Sequence, residues 1–545
     1  MHVSTVTTET GASRTEADPV TTTRCDPRVA WTTGNVAEAF PGVFTALGFT
    51  FVHEPMELAF RTMFHRLGVF TEADLVVPAR VEDQFWTAFE GRAAANLDQF
   101  HRVAGLTPGT SASAVEKQLF GYVRDTTRDR NTARRYPVLA IKAPRTVLSL
   151  PARHDALFAR LRGWRRQQLA KVDRMDERSC LDLIDDARTR FRTIMIEHLV
   201  VAFVSSGLAD RLAGMVARAE LPGLEARLLS GVGSDENAVA HDLWALAHEQ
   251  LDLEEFLDRH GYHGPNEGQL HGTSWREDPA PVLSRLEGYR GIGPDDPRAP
   301  RRRSAEQERV RAEAAAELTA TAGSLRRRAV TGLTDLTARF LALREQGKAG
   351  YLLTFDVARA AARRLGRHLV ERGVLAVESD VFHLTVDELH EQPTEDLRAL
   401  VDARRGLHQR RLGLRLPQGW EGLPPVTEAP ANATDDEPAG TVLRGVAASS
   451  GVVEGPVRVV RDPATAEVDD GDVLVCETTD PGWTSLFMVA TAVVTDFGGM
   501  LSHGPIVARE LGVPCVCGTR DGSRRLRDGQ KVRVDGGSGT VEVLG

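Results

Sequence analysis

The feature that most constrains the fold is an abrupt change in apolar periodicity across a proline-rich acidic stretch. Residues 417–437 contain Pro417, Pro424, Pro425 and Pro430, and their charges are all acidic: Glu421, Glu428, Asp435, Asp436 and Glu437. Low apolar content and repeated prolines predict a semi-extended linker here. Before it, apolar residues recur at three- and four-residue spacing. Leu181, Leu183, Ile184, Ala187, Phe191 and Ile194 predict a helix over 176–208, preceded by another over 153–175. Residues 303–346 predict a long charge-laced helix with one buried stripe through Leu318, Leu325, Leu333, Leu336 and Phe340. A further helix over 355–372 is stopped at Gly373. After the linker the texture becomes short β-branched runs at 442–446, 455–460, 472–476 and 492–495, with one helix at 505–511. A hairpin joins 532–535 to 540–543 across Gly536-Gly537-Ser538-Gly539. The 545 residues allow roughly three domains by length. The texture supports two: a mostly helical domain at 29–416 and a small α/β domain at 438–545, with 1–28 as a disordered lead-in.

Charge and cysteine content exclude several classes. A formal charge of -9 argues against a nucleic-acid binder. The only lysines are Lys117, Lys142, Lys171, Lys348 and Lys531, and none completes a Gly-Lys-Ser/Thr phosphate loop. Cys25, Cys180, Cys476, Cys515 and Cys517 are an odd, scattered set, which suggests a reducing cytoplasm rather than a disulfide framework. Cys515-x-Cys517 has the wrong spacing for a zinc knuckle, and both read as small buried residues. His241 and His248 are seven apart with no His-Glu-x-x-His, so no metal site is expected. The N-terminus has no basic and apolar regions of a secretory signal. The apolar run 199–204 is far shorter than the ~20 residues of a membrane span.

The most informative segment runs from Thr495 to Pro514. A buried strand ends in Gly498-Gly499, and a loop then delivers Ser502 and His503 immediately before a helix. Pro505 suits a first helical position, and Gly512 with Pro514 ends the helix. His503 is therefore expected at the positive end of a helix dipole, among backbone N–H groups suited to a phosphate dianion. A neutral imidazole is a competent nucleophile, and its phosphoramidate can pass the group on. Ser502 could donate a hydrogen bond to that group. A lone histidine before a helix is more often a structural cap, so the surrounding pattern decides.

That pattern resembles the phosphohistidine, or swivelling, domain of the phosphoenolpyruvate-utilising enzymes. Their signature is Gly-Gly-x-x-Ser/Thr-His-x-x-Ile/Val-x-Ala-Arg-Glu-x-Gly-Ile/Val-Pro. It is matched at Gly498, Gly499, Ser502, His503, Ile506, Ala508, Arg509, Glu510, Gly512, Val513 and Pro514. The stretch from Thr479 through Asp480, Pro481, Gly482 and Trp483 to Phe487 is similar to the rifampin-phosphotransferase branch. The resemblance implies that His503 carries the phosphoryl group, with Ser502 beside it and Gly498, Gly499 and Gly504 shaping the loop. It offers Arg509 as a phosphate contact, although six positions along a helix a surface ion pair is as good a reading.

Three earlier segments resemble the substrate-binding domain of the same branch. They start at Trp31-Thr32-Thr33-Gly34, at His260-Gly261-Tyr262-His263-Gly264-Pro265-Asn266-Glu267 running on to Ser274-Trp275-Arg276-Glu277, and at Ser379-Asp380-Val381-Phe382-His383. The implied fold class is a multidomain chain, a mostly α substrate-binding domain followed by a small α/β swivelling phosphohistidine domain. The loop 260–279 gathers polar groups of the kind that line sites on helical scaffolds. Glu267 or His263 could act as general base on a substrate hydroxyl, and Trp275 could stack on a flat substrate beside Arg276. The same composition also suits a solvated surface loop.

Enzymes of this branch place an ATP-grasp domain first, and the chain enters the substrate domain almost at once. The expectation is a split phosphotransferase. A separate ATP-grasp protein, holding ATP and Mg2+, would charge His503, and this chain would pass the phosphoryl group to a small-molecule hydroxyl. Elimination of that phosphate would make the net reaction a dehydration. The alternative is a non-catalytic phosphocarrier or small-molecule binding protein. The acceptor is not specified by sequence, because one fold hosts many ligands.

Overall fold

The protein is described by a computed structural model of residues 18–544, apart from residues 35, 108–110, 114–115, 117–126, 129–134, 222, 233–234, 321–323, 394, 429–436, 462–465, 467, 480–482 and 500–501. Its larger part is built around long helices: α1 (Ala46–Leu67), α2 (Tyr136–Leu169), α3 (Glu177–Arg218), α4 (Pro300–Ala320), α5 (Ser324–Glu371) and α6 (Arg398–Leu412). The start of α3 is set by Asp176, whose side chain accepts from the Ser179 N–H at 2.8 Å. Its stripe of Leu181, Ile184, Ala187, Phe191 and Ile194 is buried as the spacing predicts, and it packs along α5. Small residues on α5 let the two helices approach. A Cβ added at Gly350 would come within 2.9 Å of Ile194 Cγ1. Each fully buried side chain of this size, such as Phe191 or Phe355, contributes about 1.5–3 kcal/mol.

Where one long helix is expected over 303–346, α4 ends at Ala320 and α5 begins at Ser324, the junction lying outside the described residues. α5 then runs on to Glu371, and Gly373 adopts φ +77° after it. Among the described residues one helix, α3, is long and apolar enough by composition to cross a membrane. In this fold its buried stripe lies in the bundle core.

A small antiparallel sheet was not legible from β-branched runs. β1 (Ala30–Thr32), β2 (Trp86–Phe89), β3 (Arg92–Asn96) and β5 (Gly419–Glu421), a strand from beyond the helices, pair in the order β2-β3-β1-β5. That last strand corrects the linker expected at 417–437. β4 (Leu414–Arg415) pairs with β6 (Thr427–Glu428), and β5 (Gly419–Glu421) pairs with β1. Trp420 supplies the physical reason, being 8% exposed and edge-on to Phe89 with ring centroids 5.4 Å apart. Residues 429–436 lie outside the described residues. The lead-in is likewise shorter than 1–28. Val20 is buried, the Thr22 N–H donates to the Ala88 carbonyl at 2.8 Å, and Asp18 ion-pairs with Arg411; residues 1–17 lie outside the described residues.

The C-terminal part is an eight-stranded sheet. Its strands are β7 (Val442–Arg444), β8 (Val446–Ser449), β9 (Val452–Val459), β10 (Val473–Cys476), β11 (Ala492–Thr495), β12 (Cys515–Cys517), β13 (Lys531–Asp535) and β14 (Thr540–Val543). Their order is β7-β14-β13-β9-β10-β11-β12-β8, with β9 to β12 parallel. β10, β11 and β12 are buried along their whole length, as parallel strands covered on both faces must be. Helices α7 (Thr484–Val489) and α8 (His503–Leu511) lie on this sheet. The expected hairpin forms between β13 and β14. All five cysteines are free.

Candidate functional site

The loop with the Gly498-Gly499 turn leaves the C-terminal end of β11, where open parallel sheets present their ligand-binding loops. Asp496 fixes its first turn. This buried carboxylate accepts from the Ser523 N–H at 2.8 Å and from the Thr519 and Ser523 hydroxyls, while its own N–H donates to Cys476 O at 3.0 Å. Burial pushes the Asp496 carboxyl up, opposed by the Ser523 and Thr519 hydrogen bonds. Phe497 N–H donates to Glu477 O at 2.9 Å, tying the loop to the end of β10. Gly498 then takes φ +122°, which an L side chain rarely adopts, and Gly499 follows it, exposed.

α8 begins two residues earlier than the proline suggests. Ser502 is its N-cap and His503 its first residue, so Pro505 sits third. By helix geometry the first-turn N–H groups have no intrahelical acceptor, so His503 stands within the turn that carries the dipole's positive end. The His503 side chain, with all of Met500 and Leu501, lies outside the described residues. The Ser502 hydroxyl donates to Gly499 O at 2.8 Å and so closes the loop on itself. Gly504 is required by a close approach, since a Cβ there would stand 2.9 Å from Thr479 Oγ1. Arg509 has a different place from the phosphate contact offered above. It is 3% exposed and its Nη1 donates to Ala448 O at 2.9 Å, anchoring α8 to β8.

The loop 260–279 is largely interior, with Asn266, Thr273 and Asp278 its exposed positions. His263 and Glu267 are 1% and 3% exposed, and His263 Nδ1 lies 2.9 Å from Glu267 Oε2. Lys348 of α5 brings its Nζ within 3.8 Å of Glu267 Oε1. Trp275, expected to stack on a substrate, is instead a core residue, stacked on Phe256 at 6.2 Å and beside His263 at 5.4 Å. Arg276 is committed to Asp356, with Nη2 to Oδ1 at 2.9 Å, and Arg165 holds the other oxygen at 2.7 Å. Burial alone would raise Asp356, but Arg165 and Arg276 outweigh it and hold the carboxyl below the usual range. The structure thus brings His263 and Glu267 together and places Trp275 and Arg276 in the packing around them.

Sequence reasoning missed the groups on the far side of Lys348. His198 of α3 and His154 of α2 both approach Gly347. A Cβ there would lie 2.6 Å from His198 Nδ1 and 3.0 Å from His154 Nε2. His154 Nδ1 lies 3.0 Å from Gln346 Oε1. Burial, with Arg344, His154 and Lys348 nearby, pulls His198 down to about 3, so the ring is neutral at pH 7. Tyr351, edge-on to His198 at 5.8 Å, is pushed up by burial. A carboxylate, an ammonium and neutral imidazoles therefore share one interior region, which suits handling a hydroxyl proton next to negative charge. Among the described residues no group of three or more His, Cys, Asp or Glu is placed to hold a metal ion.

Residues 468–539 match the PEP-utilising enzyme mobile domain, the segment that contains the Gly-Gly turn and His503. Over this stretch the C-terminal part is similar to that mobile domain. Residues 202–345 match the fourth domain of rifampicin phosphotransferase, a stretch reaching from α3 through the 260–279 loop into α5. The chain is 34% identical over 302 residues to a rifampicin phosphotransferase of Streptomyces sviceus, covering 54% of this chain and 34% of that protein. It is 41% identical over 214 residues to an uncharacterized protein of Mycobacterium tuberculosis, covering 38% of this chain and 24% of that one. A rifampicin phosphotransferase of Bacillus subtilis is 33% identical over 212 residues, with the same coverages of 38% and 24%. The matches thus span 24–34% of these relatives' own length. The mobile-domain match lies wholly in the C-terminal sheet region, and the fourth-domain match wholly in the helical body built around α1 to α6.

Proposed function

We propose that the protein is the phosphoryl-transfer component of an ATP-dependent phosphotransferase, in which His503 carries the group to a hydroxyl of a small molecule bound in the helical body. The observation that carries this reading is the Gly498-Gly499 turn, closed by Ser502 on Gly499 O, which opens α8 at His503 inside a PEP-utilising enzyme mobile domain. A phosphoryl dianion there is favoured by first-turn N–H groups. In the transfer step the N–P bond of phosphohistidine breaks and an O–P bond forms on the acceptor. The hydroxyl proton leaves to a neighbouring base, which passes a proton on to the departing ring, so that His503 returns as neutral imidazole and the base is restored. The neutral imidazoles and the His263–Glu267 pair of the helical body are the groups available to take that proton.

In the same reading, charging comes from a separate ATP-grasp protein holding ATP and Mg2+. Subsequent loss of the acceptor phosphate would give a dehydration. Five free cysteines fit a reducing compartment.

The test is to incubate the protein with γ- and β-labelled ATP, with and without an ATP-grasp protein encoded beside it. Acid-labile label that requires the partner and vanishes in His503→Ala supports the reading. A small molecule that binds the helical body while no label appears under any condition favours a binding protein instead.

A further inference from the structure

The contacts between the mobile domain and the helical body include two at opposite ends of α8. At the C-terminal end of α8, Gly512 stands against Gln307 of α4, whose Nε2 would be 3.3 Å from a Cβ at Gly512. At the opposite, loop-bearing edge, Glu477 Oε2 lies 3.2 Å from Arg415 Nη1. Glu477 directly follows β10, accepts the Phe497 N–H on its carbonyl, and precedes by two residues the Thr479 that touches Gly504. The residue gripped by Arg415 therefore belongs to the same edge as the carrier loop.

The body's side of this contact is a two-arginine corner. Arg92 Nη2 donates to Leu414 O at 2.8 Å and to Arg411 O at 3.3 Å, fixing it at the C-terminal end of α6. Its Nε has no hydrogen-bond partner among the described residues, and neither does Arg415 Nη1 beyond the ion pair with Glu477. Burial lowers Arg92, with Glu477 acting to raise it and Arg415 to lower it, so the two guanidinium groups and the carboxylate lie in one another's field. The other facing charges are Asp496, which feels Glu477, and Arg411, which is already held by Asp18 and Glu90. Two guanidinium groups thus meet one carboxylate, and the corner keeps an excess positive charge with unused donors.

We propose that Arg92 and Arg415 form the receiving dock for the acidic edge of the mobile domain, with Glu477 as its latch. The Glu477 side chain is 46% exposed, so the pair is weak and reversible, as a domain that must leave again requires. The excess positive charge suits a second anion of the phosphoryl class arriving on that edge. This last clause rests on His503 being phosphorylated; the dock itself does not.

The experiment is small-angle X-ray scattering on the full, unphosphorylated chain, comparing wild type with Glu477→Arg, Arg415→Glu and the double swap. Each single reversal replaces attraction with repulsion and is expected to raise the radius of gyration, as is high salt on wild type. The double swap is expected to return it. Thermal unfolding recorded on the same samples separates undocking from unfolding. Single variants that scatter as wild type, or a swap that fails to restore compaction, would overturn the dock while leaving phosphorylation of His503 untouched.

Discussion

His263 donates from Nδ1 to Glu267 Oε2 across 2.9 Å in the interior of the helical body, and the other carboxylate oxygen faces the Lys348 ammonium at 3.8 Å. The first prediction concerns this trio. Removing the Glu267 carboxylate takes this buried contact from His263 and Lys348 together. Glu267→Ala should destabilise the helical body by about 3–5 kcal/mol, whereas Glu267→Gln, which keeps a hydrogen-bond acceptor for His263, should cost clearly less. Urea unfolding of the two variants checks the ranking; equal losses would mean that the carboxylate is not what holds the trio.

Asp356 gives the second. It is fully buried between Arg165 and Arg276, which hold its carboxyl below the usual value. An unfolded aspartate takes its proton near pH 4; the folded one resists to lower pH. Its stabilisation is therefore complete above about pH 4 and is lost as pH falls through the lower folded value. Asp356→Asn should reduce stability at pH 7 and flatten the wild-type decline in that acid range. An unchanged acid slope in the variant would contradict the assignment.

His198 titrates in the opposite setting. Its folded value is pulled to about 3, against 6.5 for a free imidazole. The unfolded chain therefore binds more protons between these values, and stability should fall as pH drops from about 6.5. His271 and His383, lowered to about 3 and about 4 chiefly by burial, add to the same trend. His198→Gln should shed part of the loss between pH 7.5 and pH 5, measured as the shift in urea midpoint. Identical shifts in wild type and variant would count against a neutral buried His198.

The Gly498-Gly499 loop supplies the fourth. Gly498→Ala forces a side chain onto φ +122°, at about 1–3 kcal/mol, and Gly504→Ala pushes the start of α8 off Thr479. Both should slow labelling of His503 while leaving unfolding of the helical body in place. Labelling at the wild-type rate in both would show that the loop's shape does not matter to charging.

The two halves of the fold were legible to different depths. The shift from helical to β periodicity around residue 437 is a local signal, and the buried stripe of α3 and the β13–β14 hairpin follow it. Trp420 was not legible, because prolines and acids dominate its neighbourhood and only pairing of β5 with β1 across almost the whole chain explains its burial. In the site the Gly-Gly turn, Ser502 and His503 are contiguous, so one motif exposes them. Trp275 and Arg276 are ambiguous in sequence, since a tryptophan beside polar residues suits a stacking platform and a core equally well; Phe256 and Asp356 decide it. His154, His198 and Lys348 come from three helices. His198 stands in an apolar stripe and Lys348 in a run of charges, and no periodicity says that Gly347 brings them together.

The central claim is that His503 carries the phosphoryl group. Intact-protein mass spectrometry under alkaline conditions, followed by fragmentation, tests it most directly. After incubation with ATP, Mg2+ and an ATP-grasp protein of the proposed kind, the expected result is a mass increase of one phosphoryl group, lost in acid and localised to His503. A modification localised to any other residue, or one that persists in His503→Ala, would contradict it.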